Sequence, residues 1–317
     1  MVGMLQPPPD ADPSCHRFKV DNLADMVRNY RTAGAQVLVV SGVVDPEHGH
    51  DFAETAAEAD ITLCHLTLDE PTLRERLAAR GWPSEAADEA VIMMKGLADA
   101  PFVATVIDTT GRDPEGLARD AATVVTAAPR TPGTQELPEC SVGAATIIIG
   151  PRAVGKSSVS WGLAMRRWIS GERTVYVDLD QVGFLRPALP DASLQAANLG
   201  MIWRNALARG TSRLIANGMV TTHEDLAILR HAVRPAPVRA LRLTADPDTL
   251  WERIRARSAG SPSRLANDDL ENAAPDVQRN VHRCAVGQNV EYAAANLGDD
   301  VIDTTNLCIE EAVEQAH

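Results

Sequence analysis

One short segment restricts the fold of this chain more than any other. Residues 150–157 read GPRAVGKS, the pattern G-x-x-x-x-G-K-[ST], between an apolar segment at 145–150 and a helix-forming segment at 156–168. Between a strand and a helix, this pattern forms a nest of backbone N–H groups that binds phosphate oxygens. The residues predicted to form the phosphate-binding loop (P-loop) are Gly150, Pro151, Arg152, Ala153, Val154, Gly155, Lys156, Ser157 and Ser158.

Two residues of this loop have predicted roles of their own. Lys156 would reach the β- and γ-phosphates of a nucleoside triphosphate, and the Ser157 hydroxyl would ligate Mg²⁺. The simpler alternative is a glycine-rich turn with an ordinary surface lysine, although the chain has only three lysines. The sequence therefore predicts ATP and Mg²⁺ as cofactors.

The composition limits the partners that we expect. The formal net charge of −13 argues against a broad nucleic-acid surface, because such surfaces cluster Lys and Arg. The five cysteines form no C-x-x-C pair, so the sequence favours a reducing cytoplasm over a disulfide framework or a zinc site. We find neither a signal-peptide pattern nor an apolar run of membrane-spanning length, so no membrane partner is expected.

Short apolar segments alternate with helix-forming segments in the second half of the chain. Strands are predicted at 145–150, 174–178, 212–217, 238–244 and 300–304, and helices at 156–168, 196–209, 224–232 and 247–257. This alternation predicts an α/β fold, in which a P-loop NTPase-type parallel sheet is flanked by helices.

The chain also contains segments that resemble later segments in the same order. The aligned pairs are 22–44 with 198–220, 67–80 with 244–257, 106–110 with 301–305, and 2–7 with 182–187. Chance similarity between amphipathic elements is the alternative, but four blocks in one order favour a tandem duplication.

The duplication hypothesis divides the chain into three parts. Residues 1–126 would be a degenerate unit without a P-loop, residues 127–143 a linker, and residues 144–317 the complete unit. We expect no phosphoryl transfer by the first unit, since residues 81–105 of its shortened lid contain no arginine.

The first unit, as aligned, lacks the counterparts of the first two strands. Its predicted strands at 37–41 and 61–66 would then lose the neighbour that separates them and would have exposed edges. Three outcomes are open: the two strands pair directly, an edge pairs with another chain or with the second unit, or the reading frame begins upstream of Met1.

The P-loop and the motifs that follow it resemble the P-loop kinases of the nucleoside-monophosphate-kinase class. This class includes shikimate kinase, gluconate kinase and chloramphenicol phosphotransferase. The resemblance covers about residues 144–317, and it implies a kinase of small molecules with the sheet order 2-3-1-4-5.

The sequence YVDLDQ at 176–181 resembles the D-x-D motif of shikimate kinase. By that resemblance, Asp178 holds a Mg²⁺-bound water and Asp180 faces the acceptor hydroxyl. Two carboxylates at i and i+2 on a strand point the same way, and phosphoryl transfer needs both metal ligation and an oriented nucleophile. The alternative is an aspartate that caps a helix or a turn.

The sequence LWERIRAR at 250–257 resembles the helix that enters the lid of adenylate kinase. The resemblance places Arg253 against the adenine and Arg257, one turn later, against phosphates. A solvated basic face is the alternative for this pair. Further candidates for stabilising the transferred phosphoryl group are Arg264, Arg279 and Arg283.

The repeated VIDTT sequence resembles the last strand and the adenine-side loop of the same kinases, so Thr305 and Asn306 are expected to border the base. Two features depart from the class. Asn217 stands where many P-loop proteins have a carboxylate, which leaves the Mg²⁺ site to Asp178. The segment 290–300 lacks the arginine that shikimate kinase has there, which argues against shikimate as the acceptor.

These observations favour an ATP-dependent kinase with a hydroxyl acceptor. A phosphate acceptor is already anionic and needs no base, whereas Asp180 is placed to take a proton. The alternative is an ATP-binding regulatory or partner-binding protein with slow ATP hydrolysis. In either case the first unit could form an interface, through which the chain could assemble into a homo-oligomer.

Overall fold

The computed structural model of the chain describes residues 3–49, 51, 61–79, 82–124, 143–186, 192–260 and 270–317. They fall into two compact units. The large unit contains the described residues of Met1–Cys15 and Gln135–His317, and the small unit those of His16–Thr134.

The strands and helices are numbered along the chain. The strands are β1 (Met4–Gln6), β2 (Cys64–Thr67), β3 (Thr105–Asp108), β4 (Ala144–Ile149), β5 (Thr174–Asp178), β6 (Arg213–Asn217), β7 (Val238–Thr244) and β8 (Asp300–Asp303). The helices are α1 (His16–Thr32), α2 (Glu70–Ala79), α3 (Ser84–Ala98), α4 (Pro114–Thr123), α5 (Lys156–Ile169), α6 (Leu179–Val182), α7 (Ala192–Leu207), α8 (His223–Ala232), α9 (Pro247–Ser258), α10 (Pro275–Ala294) and α11 (Ile309–Ala316).

The large unit is built on a six-stranded sheet in the order β1-β5-β6-β4-β7-β8. Strands β4 to β8 are parallel, and their order is the 2-3-1-4-5 order that the kinase resemblance implies. Helices flank this sheet, so the α/β fold class is confirmed.

The central strand shows why this order is stable. Ile147, Ile148 and Ile149 of β4 are fully buried, as expected for a parallel strand that is covered on both faces. On one face, α5 and α11 pack together, and Leu163 and Val313 join the core around Ile148. The carboxyl end of β4 therefore has a fixed position from which the P-loop starts.

The first residues of the chain belong to the large unit, which differs from the predicted boundary. Strand β1 pairs antiparallel with the outer edge of β5, with Leu5 opposite Val175. The Arg173 guanidinium donates hydrogen bonds to the carbonyl oxygens of Pro7 at 2.9 Å and Pro8 at 3.3 Å. An open parallel edge offers unpaired N–H and C=O groups, and β1 satisfies those of β5.

The aligned counterpart of this first segment has another structure. Residues 182–186 form the end of α6 and the loop after it, whereas residues 4–6 form a strand. The sequence match between 2–7 and 182–187 is therefore not a match in local structure.

The small unit contains the parallel pair β2–β3, and α2 and α3 contact each other beside it. Residues 37–41, predicted as a strand, have no regular secondary structure. Their counterpart β6 is hydrogen-bonded on both sides, by β4 and β5, and the described part of the small unit holds neither neighbour. Direct pairing of 37–41 with 61–66 is likewise not seen, because β2 pairs with β3 there.

The remaining aligned strands do share their structure. In each unit a Thr that ends one strand lies opposite the Asp of the repeated VIDTT: Thr67 opposite Asp108, and Thr244 opposite Asp303. The next residue repeats its hydrogen bonds as well. The backbone N and Oγ1 of Thr109 donate to the Thr67 carbonyl at 2.7 and 3.0 Å. The same atoms of Thr304 donate to the Thr244 carbonyl at 2.8 and 3.0 Å.

The aligned helices α1 and α7 end in the same way. Gly34 and Gly210 have positive φ angles of 93° and 77°, and their N–H groups donate to Arg31 and Leu207 carbonyls at 2.9 Å. Such a left-handed residue commonly ends a helix, and glycine adopts it without strain. Among the described helices, none combines the length and the hydrophobicity that crossing a bilayer would require.

Candidate active site

The loop between β4 and α5 has the backbone geometry of a phosphate cradle. Gly150 has a φ of 147°, and a Cβ there would lie 2.6 Å from the Leu243 carbonyl oxygen of β7. Gly155 has a φ of 104° and is the N-cap of α5. Both positions require glycine, and the first turn of a helix has free N–H groups that can bind phosphate oxygens.

The Lys156 side chain folds along this loop. Its Nζ donates hydrogen bonds to the carbonyl oxygens of Gly150 and Pro151, each at 2.9 Å. Desolvation is the main cause that lowers the pKa of Lys156, to about 8. The ammonium is therefore held at the loop, where phosphate oxygens could replace the carbonyl groups.

Four charged side chains act on the Lys156 ammonium. After burial, the largest influences on its pKa are Asp180, which raises it, and Arg257, which lowers it. Asp178 raises it as well, and Arg152 lowers it. The structure thus brings together five of the residues that sequence analysis proposed for the site.

A second cluster lies where β5 and β6 end. The Asn217 amide donates to Asp178 Oδ2 at 3.1 Å and to Ser157 Oγ at 3.5 Å, and its oxygen accepts from Ser160 Oγ at 2.8 Å. Asp178 is only 3 % exposed, and its pKa is raised, first by burial and then by Asp180. These hydroxyl, carboxylate and amide oxygens are hard donors of the kind that Mg²⁺ accepts.

Asp178 also has the structural role that was the alternative for it. Its Oδ1 accepts a hydrogen bond from the Gln181 backbone N at 3.2 Å and so caps α6. Oδ1 thus caps α6, while Oδ2 accepts the hydrogen bond from Asn217. The cap fixes the carboxylate with Oδ2 toward the Asn217 amide, which also contacts Ser157.

Asp180 is exposed at the same end of the sheet. Its Oδ1 accepts a hydrogen bond from the Met219 backbone N at 2.9 Å, in the loop after β6. Among the described residues, no donor reaches its Oδ2. The carboxylate is therefore fixed through one oxygen and open through the other.

Arg253 of α9 connects the P-loop to the end of β8. Its Nη1 donates to the Val154 carbonyl at 3.0 Å and to Thr304 Oγ1 at 2.9 Å, and its Nη2 donates to the Thr304 carbonyl at 2.7 Å. Burial is the main cause that lowers its pKa. The Arg253 side chain therefore stabilises the P-loop. From the sequence, only a contact with adenine is expected for it.

The expected adenine-side residues lie next to this hydrogen-bonded arginine. Thr305 Oγ1 donates to Asp303 Oδ1 at 2.6 Å and accepts from the Asp246 N at 2.9 Å, and Asn306 is exposed beside it. The residue that reaches the P-loop is Thr304, whose Oγ1 lies 3.2 Å from the Val154 carbonyl oxygen. From the sequence alone, nothing indicates a role for Thr304 beyond the repetition of both threonines.

Of the four other arginines proposed for the lid, the structure describes three. Arg257 lies on α9 one turn after Arg253, as expected, and acts on Lys156. Arg279 and Arg283 are exposed on α10, and Arg283 donates to Asn280 at 2.9 Å. Arg264 lies outside the described residues.

The sheet order and the position of the loop match the P-loop fold that the kinase resemblance implies. No protein-family model matches the chain, and neither does any curated protein. Solved structures with a similar fold include a gluconokinase from Sinorhizobium meliloti 1021, which is 15 % identical and has a TM-score of 0.38 over 55 % of this chain and 89 % of its own.

Two further similar structures are a shikimate kinase and a resistance protein. The shikimate kinase from Bacteroides thetaiotaomicron is 14 % identical, with a TM-score of 0.36 over 55 % of this chain and 95 % of its own. The tunicamycin resistance protein from Deinococcus radiodurans is 17 % identical, with a TM-score of 0.36 over 55 % of this chain and 92 % of its own. Similarity at this level assigns neither a substrate nor an activity to this chain.

Proposed function

We propose that the large unit is an ATP-dependent kinase that transfers the γ-phosphoryl group to a hydroxyl group of a small molecule. One observation carries the proposal: the fixed but open carboxylate of Asp180 lies within electrostatic reach of the P-loop lysine, Lys156. A carboxylate at this position has no task in simple nucleotide binding, whereas it suits a base that receives the acceptor proton. A cytoplasmic location, where ATP is available, belongs to the same proposal.

The nucleotide-binding residues divide into two groups. The P-loop N–H groups and Lys156 hold the β- and γ-phosphates, and Arg257 adds positive charge there. Ser157 and Asp178 hold Mg²⁺, with Asn217 as the partner that orients both. When bound, Mg²⁺ would neutralise charge on the phosphate oxygens.

The transfer step balances without a further reactant. The acceptor hydroxyl oxygen forms a bond to the γ-phosphorus as the bond from that phosphorus to the β–γ bridging oxygen breaks. ADP leaves with the electron pair of the broken bond, and the hydroxyl proton passes to Asp180 Oδ2. The free carboxylate then returns when that proton is released to solvent.

We also propose that the small unit descends from a duplicate of the large one and transfers no phosphate itself. The equal registers of β2–β3 and β7–β8 support this origin, as do the repeated threonine hydrogen bonds. The described part of the small unit has no loop comparable to residues 150–157.

The test measures ATP consumption with and without a broad library of hydroxyl compounds. We expect at least one compound to accelerate it, and Asp180→Asn to slow the accelerated rate by ~10²–10⁴-fold because the base is lost. ATP affinity, measured by calorimetry, should change far less than the transfer rate, because Asp180 acts on the nucleotide only through the charge of Lys156. The matched control is Asp248→Asn, an exposed aspartate of α9.

Two results would contradict the proposal. Tight ATP binding with slow hydrolysis under every condition would favour the regulatory alternative. An unchanged transfer rate in Asp180→Asn would remove the argument for a hydroxyl acceptor.

A further inference from the structure

Helix α10 brings two polar side chains into the neighbourhood of Asp180. Gln288 Nε2 contacts the sulfur of Met219 at 3.1 Å, and the backbone N of Met219 is the donor to Asp180. Gln288 Oε1 is buried and has no hydrogen-bond partner among the described residues. One helical turn later, Tyr292 is 1 % exposed, and its hydroxyl likewise has no such partner. Two buried polar atoms without partners on one helix face indicate that a polar group binds there.

The charges that act on the Tyr292 hydroxyl are negative. The pKa of Tyr292 is raised, first by burial and then by the charges of Asp180, Glu291 and Asp225. The arginines that act on Lys156 lie at the phosphate end of the site instead, on the P-loop and on α9. An anionic group that pairs with the Tyr292 hydroxyl would therefore meet carboxylates, and like charges repel.

Three further arginines in the described part of the chain do not offset these carboxylates. Arg279 and Arg283 precede Gln288 by nine and five residues, which places them on a different side of α10 from the face shared by Gln288 and Tyr292. Arg186, in the loop after α6, stacks on the Phe184 ring at 4.5 Å.

We propose that the acceptor is a hydroxyl compound without negative charge, either uncharged or amino-bearing, that binds between Asp180, Gln288 and Tyr292. Its reacting hydroxyl faces Asp180, and its other polar groups pair with the Gln288 amide and the Tyr292 hydroxyl. A primary amide both donates and accepts hydrogen bonds. It therefore pairs better with hydroxyl groups of a ligand, which do the same, than with a ligand carboxylate, which only accepts. The inference rests on the proposed kinase function.

The first test sorts the hydroxyl library by charge. Two matched sets serve for this, each on one carbon skeleton. The first is glucose, glucosamine and gluconate, and the second is glycerol, serinol and glycerate. We expect the compounds that accelerate ATP consumption to be uncharged or aminated. Acceleration confined to carboxylates or phosphates would overturn this inference and leave the kinase proposal standing. Acceleration by no compound would overturn the kinase proposal, and this inference with it.

The second test changes Gln288 and measures kcat and KM for the best acceptor. We expect Gln288→Arg to raise the acceptor KM by ~10-fold, because a larger, charged guanidinium replaces the neutral amide that pairs with the acceptor. The KM for ATP should not move, and the carboxylate member of the matched set should gain activity. The control is Val290→Arg, an exposed position on another side of α10 that adds the same charge.

Gln288→Glu guards against a folding defect in the arginine variant. This variant keeps the size of the side chain and should favour aminated over uncharged acceptors. An unchanged acceptor KM in both Gln288 variants, with circular dichroism showing that they are folded, would overturn the proposed binding place.

Discussion

The β2–α2–β3 segment of the small unit and the β7–α9–β8 segment of the large unit share their local structure but not their surroundings. Arg76 of α2 donates to the Thr109 carbonyl at 3.5 Å, and the aligned Arg253 donates to the Thr304 carbonyl at 2.7 Å. Only the Arg253 side chain continues to a P-loop carbonyl, that of Val154.

The difference separates two kinds of interaction. The strand register and the threonine hydrogen bonds occur in both segments, so they do not depend on a phosphate-binding neighbour. The bonds from α9 and β8 to Val154 occur only where such a loop exists. The same local geometry therefore occurs both with and without an adjacent P-loop, and each interaction can be tested against its aligned counterpart.

The largest expected effect comes from the lysine that the small unit cannot supply. Lys156→Ala should reduce ATP turnover by at least ~10²–10³-fold, because the variant lacks the ammonium that binds the phosphates. Calorimetry with ATP and a coupled turnover assay would measure the loss. The control is Lys95→Ala in the small unit, where the lysine forms a surface ion pair with Glu70 at 3.0 Å. Full turnover in Lys156→Ala would instead point to a second ATP site.

The second largest effect is expected from substituting the two aligned arginines, Arg253 and Arg76. Arg253→Ala should raise the KM for ATP by ~10–100-fold, because hydrogen bonds from a half-buried guanidinium to the P-loop are lost. Arg76→Ala should leave ATP kinetics unchanged. Equal effects of the two substitutions would show that the small unit takes part in nucleotide binding, contrary to the proposed division.

A smaller effect concerns pH. Burial lowers the pKa of Lys156 to about 8, so in the free protein its ammonium loses its proton as the pH rises through that value. ATP binding favours the charged form, so affinity should fall by ~10-fold from about pH 7 to about pH 9. Calorimetry across this range would measure it. Lys156→Arg, whose guanidinium stays charged, should show a flat profile even if binding is weaker; a wild-type profile that is equally flat would contradict the assignment.

The smallest effect compares the aligned threonines. Thr304→Val removes a hydroxyl that donates to the carbonyl groups of Thr244 and Val154 and accepts from Arg253 Nη1, and Thr109→Val removes the bond to Thr67. We expect the free energy of unfolding to fall by ~1–3 kcal/mol for Thr304 and by ~0.5–1.5 kcal/mol for Thr109. Urea denaturation would measure both. A larger loss at Thr109 would show that its surroundings contribute more than the P-loop contact does.

Much of the large unit could be predicted from sequence because its signals are local. Apolar runs identified β5 and β7 over their whole lengths, and the glycine and lysine pattern identified the P-loop. The contacts of Thr304 and Asn217 could not be predicted, because they join residues far apart in the chain. The apolar run at 37–41 predicted a strand that does not form, since a strand needs a hydrogen-bonded neighbour as well as a favourable composition.

The antiparallel strand at residues 4–6 affects any attempt to divide the gene. The small unit is an insertion, because its sequence interrupts the large unit between β1 and β4. A fragment that starts at residue 143 would keep the P-loop but would uncover the backbone of β5 along Thr174–Tyr176. Such an edge can template pairing with another molecule, so the fragment would be prone to aggregate. A shorter protein that keeps the sheet closed would join residues 3–15 directly to residue 143 through a flexible linker.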